Sequence, residues 1–268
     1  MKYKILVGVP SSGQLMEGCT DHTWLGSLHH EFNRLPSSTV GLNFNSVWSD
    51  ALTFGLRGEF THFAMTHSDV RVVEDEPGLR WADRLIEEME QYGADFISVP
   101  NTIKDSRGLT SSGIGDPFDR WNPFRRFTIR ELGSMPKTFS AEMLGYGDKF
   151  LLHNEALCLF DLRKPLWYKP NADGTVRCDF NVVERITLHN DGKPMFWGSG
   201  GTAARSQETE DWGFSRKLWE MGAKTFVTSR IELLHFGPMA WSNKAEFGEY
   251  MNGDEDTAAK WRKDTVAA

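Results

Sequence analysis

The sequence predicts an α/β fold in which a single wound, mostly parallel sheet is flanked by helices. Three observations lead there. Short apolar runs alternate with segments of helical period through the first hundred residues. The 268 residues are enough to bury one large core. No Pro/Gly/Ser-rich linker, internal repeat or low-complexity tract divides the chain, so one domain is expected over 1–240, followed by a polar tail over 241–268.

Tyr3 to Val9 is a buried-strand run that stops at Pro10-Ser11-Ser12-Gly13. Asp21 is placed to cap a helix carrying Trp24, Leu25, Leu28 and Phe32. A second strand is expected over Ser38–Asn43. A helix is expected over Ser46–Leu56, with Val47, Ala51 and Phe54 on one face, and a strand over Phe60–Met65. Arg80–Tyr92 has the clearest helical period. Trp81, Leu85, Met89 and Tyr92 form its apolar stripe, Glu87, Glu88 and Glu90 its wet side, and Gly93 ends it. Asp95–Pro100 follows as a strand. Residues 101–150 read as long loops and short strands. Glu155–Leu162, Thr225–Thr228 and Ile231–Leu234 are further strands, and Trp212–Met221 a further helix with Trp212, Leu218 and Trp219 apolar.

The net charge of −7 and a sequence pI near 5.6 exclude a broadly basic protein that coats nucleic acid by charge, though not a local basic groove. No apolar run approaches the roughly 18 residues of a membrane span, and Ile5–Pro10 is too short for a secretory core. Cys19, Cys158 and Cys178 are odd in number and form no CxxC, which argues against a disulfide scaffold and excludes a Cys-rich zinc site. A reducing cytoplasm is the expected compartment.

Three places have the residue types for chemistry. His67-Ser68-Asp69 follows a strand, where open wound sheets collect ligands, and is suited to a metal or a ribose, or simply to capping a loop. Glu208-Thr209-Glu210-Asp211 precedes a helix. Its acids either complement the helix N-terminus or supply a general base. His235 ends a strand and is either structural or a metal ligand.

In this order the three resemble the glycosyltransferase A-type fold, in the family-2-like group of nucleotide-sugar glycosyltransferases. The match is carried by Val9-Pro10-Ser11, by Thr61–Met65 running into His67-Ser68-Asp69, and by Glu210-Asp211-Trp212-Gly213-Phe214. Gly222-Ala223-Lys224-Thr225 and Leu233-Leu234-His235-Phe236-Gly237 complete it. His62-Phe63-Ala64-Met65 and Ile103–Thr110 are similar to predicted bacteriophage glycosyltransferases.

The resemblance implies a metal-dependent hexosyl- or pentosyltransferase acting from a nucleotide diphosphate sugar, UDP by default. The acceptor is a modified DNA base, a glycan or a small molecule, and the setting is the host cytoplasm if a phage encodes the chain. Asp69 and His235 match metal ligands. His67 stands where the first Asp of Asp-x-Asp is expected and brings no negative charge. Mixed nitrogen and oxygen donors favour Mn²⁺ over Mg²⁺. Pro10 and Ser11 match the loop near the nucleoside, and Asn45 and Asp50 a helix that contacts base or sugar, or else a solvated helix face. Lys104 and Arg107 read as phosphate contacts on a closing loop, or as solvated loop residues. Glu210-Asp211 matches the acidic pair whose second member is the general base, which implies inversion. A metal-binding His at position 235 is instead frequent among retaining relatives. A sugar nucleotidylyltransferase and a non-catalytic sugar-binding or virion-associated protein are the alternatives. The first is disfavoured because Val9-Pro10-Ser11-Ser12-Gly13 lacks a basic residue.

Overall fold

The computed structural model describes residues 3–11, 29–36, 40–73, 80–104, 107–188, 203–237 and 240–244. The central strands are β1 (Lys4–Ser11), β2 (His29–Pro36), β3 (His62–Thr66), β5 (Phe96–Ser98), β8 (Thr138–Phe139), β10 (Leu157–Asp161) and β13 (Thr225–Thr228). They form one seven-stranded sheet in the order β2-β1-β3-β10-β5-β13-β8. β1 is parallel to β2 and β3, and β5 to β13, while β10 runs antiparallel between β3 and β5, and β8 antiparallel to β13. The sheet is therefore mixed, with its parallel pairs on either side of β10.

Alternation along each strand sorts side chains into two cores. Ile5, Val7, Ala64, Ile97, Leu157 and Leu159 face α2 (Trp81–Tyr92), meeting Trp81, Leu85 and Met89. Leu6, Phe63, Met65, Phe96 and Phe160 face the other layer. There α1 (Val40–Leu56) contributes Val47, Trp48 and Ala51, and α4 (Glu210–Glu220) contributes Phe214 and Leu218. Burial on both faces is why these strands read as unbroken apolar runs. A third core lies under the hairpin of β6 (Leu109–Asp116) and β7 (Asp119–Thr128). It gathers Ile114, Phe127, Leu132 of α3 (Ile129–Leu132), Phe139 and Leu151 of β9 (Phe150–Leu152). β4 (Val70–Val73), β14 (Glu232–Phe236) and β15 (Ala240–Ser242) make a small sheet in the order β15-β14-β4, and β11 (Val183–Leu188) pairs with β12 (Ala203–Glu208).

Four expectations are corrected. Phe32 lies in β2, which pairs with β1 from Lys4↔His29 to Ser11↔Pro36. That ladder overrides the helical spacing read across Trp24–Phe32, whose earlier residues, with Asp21, are outside the described ones. The strand expected over Ser38–Asn43 is helix from Val40, because buried Phe44 extends the Val47–Ala51 stripe back by a turn. Glu88 is buried, bonded to Thr138 Oγ1 and paired with Arg230 Nε at 2.7 Å. Residues 101–150 hold a long hairpin with register shifts.

Gly93 ends α2 at φ 62°, the left-handed conformation that glycine tolerates. Cys158 and Cys178 are buried free thiols, and Cys19 lies outside the described residues. Among the described residues no helix is long and apolar enough to cross a membrane.

Candidate active site

Topology brings the polar residues to one edge of the central sheet. β1, β3 and β5 end there, and antiparallel β10 begins there, with Leu157 paired to Thr66 and Cys158 to Ser98. Open α/β sheets place their ligands outside the carboxyl ends of parallel strands. Buried Pro10 sits at the same end of β1. Beyond β3 the chain turns through His67-Ser68-Asp69 into β4, whose Val70 pairs with His235 of β14. The Asp69 carbonyl accepts the Phe236 N–H at 2.9 Å, which locks the two segments together.

Asp69 Oδ2 stands 3.4 Å from His235 Nε2 and 2.5 Å from Lys104 Nζ. The ring of His235 is oriented from behind. Its Nδ1–H donates to the Thr102 carbonyl at 2.7 Å, and Thr102 Oγ1 in turn donates to the Trp241 carbonyl at 3.0 Å. Partial burial alone would raise the Asp69 carboxyl. Hydrogen bonds from His235 and Lys104 outweigh that and hold it well below the usual carboxylate range.

A second group sits at the start of α4. Asp211 Oδ2 accepts from Asn154 Nδ2 at 2.9 Å, and Ser215 Oγ donates to the Asp211 carbonyl at 2.7 Å while accepting the His153 N–H at 2.9 Å. No donor among the described residues reaches Asp211 Oδ1 or either oxygen of fully buried Glu155. Burial first, then the charge of Asp211, push the Glu155 carboxyl well above its ordinary range. Burial and the charge of Asp211 also raise Glu210, to about 7. His153 is lowered to about 3 by burial, so its Nδ1 meets Ser98 Oγ at 2.9 Å as a neutral ring.

His67 lies between the two groups and feels the charges of both Asp211 and Asp69. Burial dominates and lowers it, so the imidazole is neutral. Its ring packs on Phe44 with centroids 5.1 Å apart, and its Nε2 is shielded from solvent with no hydrogen-bond partner among the described residues.

Asp69, His235, Lys104, His67, Asp211 and Glu210 thus come together at one edge. Asn45 is used elsewhere. Its amide clamps Phe180, donating to the carbonyl at 2.7 Å and accepting the N–H at 2.8 Å. It lines a cavity of about 840 Å³ between α1, α4 and residues 171–179. Asp50 is half-buried farther along α1, and Arg107 is exposed just before β6. Ser11 closes β1, and its side chain is outside the described ones. Sequence reasoning missed Asn154, Glu155 and Thr102. The signal for the first two was present: His153-Asn154-Glu155 is a polar trio set just before the apolar run Ala156–Phe160.

The resident divalent cation implied by the resemblance needs several donors facing one point. Asp69 Oδ2 and His235 Nε2 suit it, and a metal-ligating His is commonly braced through its other nitrogen as His235 is. The remaining donors do not suit it. His67 Nε2 is shielded from solvent while its ring packs on Phe44, and the Lys104 ammonium already covers Asp69 Oδ2. Among the described residues no three His, Cys, Asp or Glu side chains are grouped to hold a metal ion. As it stands, the donor set does not fit a resident divalent ion.

No family model and no curated protein matches the chain. Among solved structures, A197 from STIV is similar at 13% identity and a TM-score of 0.48, covering 87% of this chain and 86% of that one. A putative glucose-1-phosphate thymidylyltransferase from Bacillus anthracis, solved with a sucrose, is similar at 9% identity and a TM-score of 0.24, covering 57% of this chain and 52% of that one. At TM-scores below 0.5 neither likeness bears on function, and the chemistry rests on the side chains above.

Proposed function

We propose that the protein is a glycosyltransferase that moves a sugar from a nucleotide diphosphate sugar to an acceptor hydroxyl. The observation that carries this reading is the meeting of two groups at one sheet edge. One is a cation-bearing cluster, Lys104–Asp69–His235, and the other a carboxylate, Asp211, braced by Asn154. Such a pair suits a reaction in which an anionic group leaves one side of a carbon while a proton is taken from the nucleophile on the other.

The roles follow from position. Lys104 faces the diphosphate. Asp211 accepts the proton of the acceptor hydroxyl. Asn154 keeps Oδ2 in place. A hydroxyl is a weak nucleophile until its proton has a destination, and a positioned carboxylate typically contributes about 10²–10⁴-fold. Direct displacement with inversion uses one such base, which agrees with Asp211 as the braced member of the acidic pair.

A screen of nucleotide sugars, reading release of free nucleoside diphosphate with and without acceptor candidates, tests the proposal. Release from one donor class is the expected result. Release of pyrophosphate from a sugar 1-phosphate and a nucleoside triphosphate would instead assign nucleotidylyl transfer. Binding of sugars without turnover of any donor would assign a non-catalytic role.

A further inference from the structure

We propose that Lys104 is the cation of the donor site. Its ammonium, anchored on Asp69, takes the diphosphate and offsets the charge that grows there, so that transfer needs no divalent metal ion. This rests on the nucleotide-sugar reading above and adds the identity of the charge that receives the leaving group.

The geometry begins with the 2.5 Å contact between Lys104 Nζ and Asp69 Oδ2. An ammonium has three N–H donors and no acceptor. Asp69 takes one of them. The two side chains are 32% and 33% exposed, so the pair is open to solvent rather than buried. The stem is also held. A Cβ on Gly237 would meet Lys104 Cδ at 3.1 Å, so the bare glycine gives the methylenes their bed. Beside Lys104, His235 presses on the same carboxylate oxygen from 3.4 Å.

Charge count supports the same assignment. An Asp-x-Asp pair presents two carboxylates to a divalent ion. Here the first position is His67, a neutral ring packed on Phe44, and the second is paired with Lys104. A divalent ion arriving at Asp69 would meet a like charge at contact distance. A diphosphate arriving there meets an ammonium with two N–H donors beyond the one that Asp69 takes. The step balances without a further reagent. The bond from the anomeric carbon to phosphate oxygen breaks, and its electron pair goes to that oxygen, which accepts hydrogen bonds from the Lys104 N–H groups. The acceptor oxygen bonds to the anomeric carbon, and its proton goes to the Asp211 carboxylate. Lys104 keeps all its protons.

The test measures binding of UDP, GDP, ADP, CDP and dTDP by calorimetry, once in EDTA and once in Mn²⁺, with Mn²⁺ alone followed by electron paramagnetic resonance. The wild-type protein is expected to bind one diphosphate equally in both media and to leave the signal of aqueous Mn²⁺ unchanged. Lys104→Met should lose about tenfold or more in EDTA, the worth of a hydrogen bond to a charged group. Lys104→Arg should restore part of it, and both variants should still melt cooperatively, with Lys104→Met losing no more stability than a solvent-exposed ion pair contributes. Wild-type binding in Mn²⁺ only would overturn the Lys104 assignment and leave the nucleotide-sugar reading standing. So would binding by Lys104→Met at wild-type strength. Binding of no diphosphate in either medium would overturn both.

Discussion

Asp211 Oδ2 receives its hydrogen bond from Asn154 Nδ2, 2.9 Å away, and from no N–H of the helix it begins. An acidic residue in the first turn of a helix ordinarily complements the dipole or caps free amides. Here the carboxylate reaches across to Asn154, in the segment that leads into β10. Asp211→Asn keeps the shape and one hydrogen-bonding oxygen but cannot take a proton. The transfer rate is expected to fall about 10²–10⁴-fold, with donor affinity and melting temperature near wild type. Rate, calorimetric affinity and thermal melt measured on the same preparation check it.

Glu155 gives a prediction in pH. Its folded-state pKa lies well above that of an exposed glutamate, and Glu210 is raised to about 7. Groups raised in this way bind more protons folded than unfolded. Their stabilising effect is complete below the ordinary value of 4.5 and is lost as pH rises through the folded value. Glu155→Gln keeps the shape of the side chain and removes the titration. The difference in melting temperature, variant minus wild type, should therefore grow as pH rises above 4.5. Glu210→Gln should show the same trend, levelling near pH 7. Melts over a pH series check both signs.

Asp69→Ala removes the anchor of Lys104 and the partner of His235. The side chain is 33% exposed, so loss of its ion pairs should cost no more than about 1 kcal/mol of stability. Turnover of the donor should fall below detection while the far-ultraviolet spectrum is unchanged. Retained turnover would remove His67-Ser68-Asp69 from the site.

Gly237→Ala probes the bed of Lys104 without touching a charge. The added methyl would press on Cδ from 3.1 Å, and the stem must move by a few tenths of an ångström. A fall in transfer rate of up to about tenfold is expected, below the hundredfold that an ångström of misplacement can cost. Single-turnover kinetics alongside a melt would separate this from unfolding.

Much of the fold was legible because apolar runs and helical stripes report burial directly. β13 has the bounds read for it, and α2 begins one residue after its expected start. β2 was misread because pairing with β1 decides its conformation, and sequence spacing does not record a partner. Asp69, Asp211 and His235 stand out in the sequence as polar residues at strand and helix ends, and the structure brings them to one sheet edge. Glu155 and Asn154 were passed over as the lead-in to an apolar strand. Their importance comes from β10 running antiparallel, which puts its start beside the ends of β3 and β5. The relation of Lys104 to Asp69 could not be read either, since it depends on where the chain returns after β5.

A crystal structure with an uncleavable nucleotide sugar tests the central claim most directly. The diphosphate is predicted within hydrogen-bond distance of Lys104 Nζ, with the anomeric carbon turned toward Asp211. A donor seated elsewhere, such as the cavity lined by Asn45, Trp48 and Arg216 between α1 and α4, would contradict it.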